Sequence, residues 1–123
     1  ESVKTRITLE NDDKASMYSV KDLYQVYERL GVPIVFDYHH HKFCTGDMSE
    51  EEALKMAATT WGDVRPTCHY SESKALNENL NVKPQAHSDY VFKKINDWGL
   101  DIDVVLEAKA KELSILKYRE LFE

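Results

Sequence analysis

Four residues able to ligate a metal close four short apolar runs of this chain. Glu10 follows Ile7-Thr8-Leu9, Asp37 follows Ile34-Val35-Phe36, His69 follows Thr67-Cys68, and Glu107 follows Ile102-Asp103-Val104-Val105-Leu106. Two Glu, one Asp and one His make a hard, oxygen-rich donor set suited to Zn²⁺ or Mn²⁺. Held together without a cation, such a set would be costly. A single carboxylate at a strand end is ordinarily a helix cap or a surface charge. A ligand-type residue at all four ends is a pattern, and it points to metal chemistry. The run His39-His40-His41 follows Asp37 almost directly. The spacing Asp37-x-x-His40 lets one loop supply a carboxylate and an imidazole to neighbouring metals, so His40 is the expected ligand, with His39 packed behind it and His41 unassigned. His87, in His87-Ser88-Asp89-Tyr90, reads either as a further ligand or as a helix-terminal histidine. Lys109 and Lys111, just past Glu107, read either as phosphate contacts or as the solvated start of a helix.

These residues depend on alternating strands and helices for their placement. Thr5–Glu10 reads as a strand and Asn11-Asp12-Asp13 as a turn. Ser19 caps a helix whose apolar positions are Val20, Leu23, Val26, Tyr27 and Leu30, closed by Gly31. Ile34–Asp37 is the second strand. Ser49-Glu50-Glu51-Glu52 opens a capped helix carrying Ala53, Leu54, Met56, Ala57 and Trp61 before Gly62. Thr67–His69 is the third strand, and polar residues 71–86 suggest a long loop. A helix from about Ser88 to Trp98 follows, then a strand over Ile102–Glu107. A last helix from about Lys111 to Phe122 is expected to turn Leu113, Leu116 and Leu121 inward. Apolar strands separated by amphipathic helices imply a parallel sheet with helical covers. Four strand–helix units amount to half of a (β/α)₈ TIM barrel, so residues 1–123 are read as one partial domain, the C-terminal half of such a barrel. A small doubly wound sheet is the alternative.

Composition sets the outer bounds. Hydrophobic residues at 42% and charged residues at 31% describe a globular chain. No run nears the roughly 20 apolar residues of a membrane span, and the first residues do not resemble a signal peptide. Cys44 and Cys68 are too few and too far apart for a disulfide framework, which favours reduced thiols and a cytoplasmic or nuclear location. The net charge of −6 argues against a free-standing nucleic-acid binder; bound metals would reverse the field locally. The chain starts without Met and reaches strand-like sequence within a few residues, so it is expected to be a fragment.

Leu9-Glu10-Asn11-Asp12-Asp13, Phe36-Asp37-Tyr38-His39-His40, Cys68-His69-Tyr70-Ser71, His87-Ser88-Asp89-Tyr90 and Ile102–Lys109 together resemble the UV-damage endonuclease family, in that family's order and, apart from a longer gap before His87, its spacing. The resemblance covers the whole chain and the C-terminal part of a family member. It implies a TIM-barrel DNA-repair nuclease related to endonuclease IV, holding up to three divalent metals (Mn²⁺, with Zn²⁺ or Mg²⁺ as alternatives). Such an enzyme nicks UV-damaged double-stranded DNA immediately 5′ of a photoproduct. It further implies that Glu10 bridges two metals, that Asp37, His69 and Glu107 complete the central one, and that His40 and His87 serve a third. Glu10, Asp37 and Glu107 would then be catalytic, and Lys109 would touch substrate. The family carries a lysine, reported as carboxylated, where this chain has Thr67, so the third metal is expected to bind weakly. The family's N-terminal half, with the histidines of its first metal and its lesion-probing residues, has no counterpart here. Two rival readings are a sugar isomerase built on a similar metal-bearing barrel and an inactive, structural half-barrel.

Overall fold

The computed structural model describes residues 6–78 and 81–123. Four strands, β1 (Leu9–Glu10), β2 (Ile34–Asp37), β3 (Thr67–Tyr70) and β4 (Asp103–Leu106), form one sheet in the order β1-β2-β3-β4. Every neighbouring pair is parallel. Helices α1 (Val20–Leu30), α2 (Tyr38–His41), α3 (Glu50–Thr59), α4 (Lys74–Glu78) and α5 (Glu112–Phe122) fill the connections. A sequential, all-parallel order with helical crossovers is that of a (β/α)₈ barrel, and these four units are half of one. Among the described residues no helix is long and apolar enough to cross a membrane.

Side chains alternate across the sheet. Ile34, Phe36, Cys68 and Tyr70 join Val20, Leu23, Ala53, Leu54 and Ala57 in the core, with Val104 and Leu106 packed against them. The opposite face carries Asp37 and His69. Two capping boxes fix where α1 and α3 begin: Ser19 with Asp22, and Ser49 with Glu52, exchange side-chain and backbone hydrogen bonds. Gly31, at φ 70°, ends α1 in the left-handed region, its N–H donating to the Tyr27 carbonyl at 2.7 Å. The end of α3 is tied to the start of β2. The Ile34 N–H donates to Thr60 Oγ1 at 2.9 Å, and Trp61 Nε1 donates to the Ile34 carbonyl at 2.8 Å.

Several expectations need correction. The first strand is confined to Leu9–Glu10; Thr5 lies outside the described residues, and Arg6–Thr8 are not in the sheet. The Leu9 N–H donates to the Pro33 carbonyl at 3.0 Å, but Pro33 has no N–H to carry the ladder further back. Leu30 is exposed rather than part of the inward stripe of α1. The loop expected at 71–86 contains α4. The helix expected at Ser88–Trp98 does not form. Its backbone is claimed by buried Glu72, whose carboxylate accepts the N–H groups of Phe92 (2.9 Å) and Lys93 (3.2 Å), together with Tyr70 Oη (2.7 Å) and Asn77 Nδ2 (2.7 Å). Tyr118 Oη takes a further N–H, that of Ile95, at 3.0 Å. That contact also decides which side of α5 faces inward: Ser114 is buried and Tyr118 packs on the core, while Leu113, Leu116 and Leu121 stay at least half exposed, contrary to expectation.

Removing the Glu72 carboxylate leaves two backbone donors without an acceptor. Glu72→Ala in the intact protein is therefore expected to cost about 3 kcal/mol of stability. Hydrogen exchange should speed at Phe92 and Lys93 while the β2–β3 amides keep their protection. Unchanged exchange at those two amides would contradict this account of the missing helix.

Candidate metal centre

The sheet register does the gathering. Glu10 pairs with Val35, Asp37 with His69, and His69 with Val105. The Glu107 N–H extends the last ladder by donating to the Tyr70 carbonyl at 2.8 Å. Asp37 and His69 are level, Glu10 is level with a residue two before Asp37, and Glu107 lies two beyond the partner of His69; all four side chains meet at the carboxyl ends. One ligand atom from each of Glu10, Asp37, His69 and Glu107 lies within 4.8 Å of the others. His69 Nδ1 is 3.1 Å from Glu10 Oε2 and 3.5 Å from Glu107 Oε1.

Asp37 is the innermost of the four, with no exposed surface. Its Oδ1 accepts the His40 N–H at 2.8 Å and so caps α2. Its Oδ2 is buried without a hydrogen-bond partner. Burial pushes this carboxyl up to about 7, with the Glu10 charge adding to the rise and the bond from His40 opposing it. Burial acts in the same sense on Glu10, but the hydrogen bond from His69 and the charges of His69 and His40 outweigh it and leave Glu10 below its ordinary value. His69 is raised, chiefly by its bond to Glu10 and against burial. An orphaned, buried carboxylate oxygen beside two more carboxylates and an imidazole fits a divalent cation: the cation supplies the missing partner and cancels the repulsion.

The remaining candidates sit around this group. His40 Nδ1 lies 3.7 Å from Glu10 Oε2 and 3.6 Å from Asp37 Oδ2, and is bonded to the Asn11 carbonyl at 2.7 Å. With Nδ1 donating there, Nε2 is left with its lone pair. His87 is not in the four-residue group. It forms an isolated bridge with Ser73 rather than opening a helix, and its ring stands edge-on to His39 with centroids 5.6 Å apart. Burial lowers its pKa, which favours the neutral ring. His39 Nε2 is bonded to the Gln85 carbonyl at 2.9 Å, and buried His41 packs on Phe36. Exposed Lys109 and Lys111 border, with His87 and Glu107, a shallow cleft beside the group. Thr67 starts β3, two residues before His69 and on the same face of the sheet. Asn11, read above as part of a turn, is instead 1% exposed and bonded to Asp37; its place directly after Glu10 was the only signal for it.

Fold and site define a class: half of a parallel (β/α) barrel bearing a carboxylate–histidine group at its strand ends. The family model described as UV-endonuclease UvdE matches residues 1–123, and the chain belongs to that family. It is 33% identical over 129 residues to the UV DNA damage endonuclease of Bacillus velezensis, a match covering 96% of this chain and 38% of the relative. Against the UV-damage endonuclease of Schizosaccharomyces pombe it is 34% identical over 130 residues, covering 100% of this chain and 21% of the relative. The crystal structure of SacUVDE matches with a TM-score of 0.77 at 34% identity, over 95% of this chain and 39% of that one. The chain thus spans well under half the length of these relatives.

If the four-residue group is built around a cation, Asp37→Asn has opposite effects with and without metal. Metal-free protein should melt at the same temperature or slightly higher when compared above about pH 7, where the wild-type carboxyl is ionised, because a buried charge with an orphaned oxygen is gone. Wild-type protein should gain about 2.7 kcal/mol at a Mn²⁺ concentration of about 100 times Kd, and the variant almost none. Thermal melts with EDTA and with Mn²⁺ check both; equal Mn²⁺ stabilisation of the two proteins would contradict the assignment.

Proposed function

We propose that the protein carrying this chain is a metal-dependent DNA-repair endonuclease that nicks the strand immediately 5′ of UV photoproducts. The observation that carries this reading is the convergence of Glu10, Asp37, His69 and Glu107 within 4.8 Å in a chain of the UV-endonuclease family. In this reading Glu10, Asp37, His69 and Glu107 hold the central cation, and His40 and His87 serve a further one. Bound Mn²⁺, with Zn²⁺ or Mg²⁺ as alternatives, supplies Lewis acidity and lowers the pKa of water. Phosphodiester hydrolysis forms one bond from water oxygen to phosphorus and breaks the bond from phosphorus to the 3′-oxygen, which leaves with a proton. Glu107 borders the cleft and accepts a hydrogen bond from the attacking water. Asp37, buried, contributes charge and fixed direction. Lys109, exposed beside Glu107, meets a phosphate of the damaged duplex. Unpairing costs least at a damaged base, which favours the lesion over intact DNA.

The test is nicking of irradiated against unirradiated plasmid by the intact protein, with the cut mapped on end-labelled strands. Glu107→Ala is expected to abolish nicking. Thr67 cannot supply the anionic ligand that a carboxylated lysine would, so activity should climb steeply with added Mn²⁺, and Thr67→Lys should raise nicking at low Mn²⁺. Full activity in Glu107→Ala, or an unchanged metal dependence in Thr67→Lys, would overturn these two roles.

A further inference from the structure

We propose that Asn11 is a positioning residue that sets both the Asp37 carboxylate and the free nitrogen of His40. β1 ends at Glu10, paired with Val35, and at Asn11 the chain turns away: the Asp12 N–H donates to the Tyr18 carbonyl at 2.9 Å. No β1 backbone is then left to pair with the end of β2. The Asn11 side chain takes its place. Its Oδ1 accepts the Asp37 N–H at 2.9 Å, and its Nδ2 donates to the Asp37 carbonyl at 3.0 Å. One amide thus holds both polar groups of the Asp37 backbone, in place of a neighbouring strand, in a setting where Asn11 is 1% exposed and Asp37 is 0%. A side-chain amide offers one donor and one acceptor to the same residue, and the length of Asn11 suits both bonds.

The Asn11 backbone does the second task. Its carbonyl accepts from His40 Nδ1 at 2.7 Å, while the His40 N–H is held by Asp37 Oδ1 at 2.8 Å. That fixes the Nδ1–H tautomer and leaves Nε2 as the nitrogen able to bind a cation. A shift of Asn11 therefore disturbs Asp37 directly and His40 both directly and through Asp37. The consequence is a pre-organised acidic group whose innermost carboxylate has little freedom to swing away from a cation.

This inference rests on the proposed function, in which Asp37 and His40 hold divalent cations. Mn²⁺ binding to the intact protein, read by electron paramagnetic resonance, tests it with Asn11→Ala and the isosteric Asn11→Asp, which keeps the acceptor but loses the donor to the Asp37 carbonyl. Both variants should bind Mn²⁺ about 10–100-fold more weakly. Saturating Mn²⁺ should restore much of kcat with KM for damaged DNA unchanged, a split that a general loss of fold does not give. Should either variant fail to fold, the wild type still decides: ¹⁵N shifts of its metal-free histidines should show His40 as the Nδ1–H tautomer. Wild-type Mn²⁺ affinity in a folded variant, or the Nε2–H tautomer at His40, overturns the positioning role. Absence of Mn²⁺ binding by the wild type overturns the metal reading itself.

Discussion

Everything at the site follows from one constraint: a carboxylate, Asp37, is placed at the end of the most buried strand with an oxygen that no protein group satisfies. An ionised carboxylate with no exposed surface is costly unless charge or hydrogen bonds compensate. Here one oxygen is met by the His40 N–H and the other is left open toward Glu10 and His40. The surroundings hold that unfavourable arrangement in place instead of relieving it. Asn11 braces the Asp37 backbone, α2 is wound from the Asp37 cap, and the β ladders bring His69 and Glu107 alongside. A divalent cation held between these side chains would supply the missing partner and make the arrangement favourable.

The parallel sheet explains why the site requires so little sequence. Each strand contributes one inward side chain at its carboxyl end, and the alternate positions, Ile34, Phe36, Cys68 and Tyr70, anchor the strands to α1 and α3. The ligand-type residues therefore sit on backbone fixed from behind by a packed core. Thr60 and Trp61, holding Ile34, lock the start of the same strand whose end carries Asp37.

Much of this was legible in the residues. Apolar runs ending in Glu10, Asp37, His69 and Glu107 located the strand ends to within about one residue, β3 running on to Tyr70 and β4 stopping at Leu106, and Ser19 and Ser49 located two helix starts, because caps and strand burial are local properties. What was not legible depends on contacts distant in sequence. The run after Ser88 has helical periodicity, yet Glu72, about twenty residues earlier, takes its N–H groups. Leu113, Leu116 and Leu121 form a plausible inner stripe, but Tyr118 reaching Ile95 selects a different face. Asn11 resembles a turn residue in Asn11-Asp12-Asp13; only the position of β2 reveals that its amide is occupied by Asp37.

The central claim is that Glu10, Asp37, His69 and Glu107 surround one divalent cation. Anomalous diffraction at the manganese edge, from crystals of the intact protein grown with Mn²⁺, addresses it most directly. The account predicts a peak bounded by those four side chains, with Asp37 Oδ2 among its ligands. A clear Mn²⁺ peak elsewhere with none between these four residues, or a peak there that leaves Asp37 uncoordinated, would contradict it.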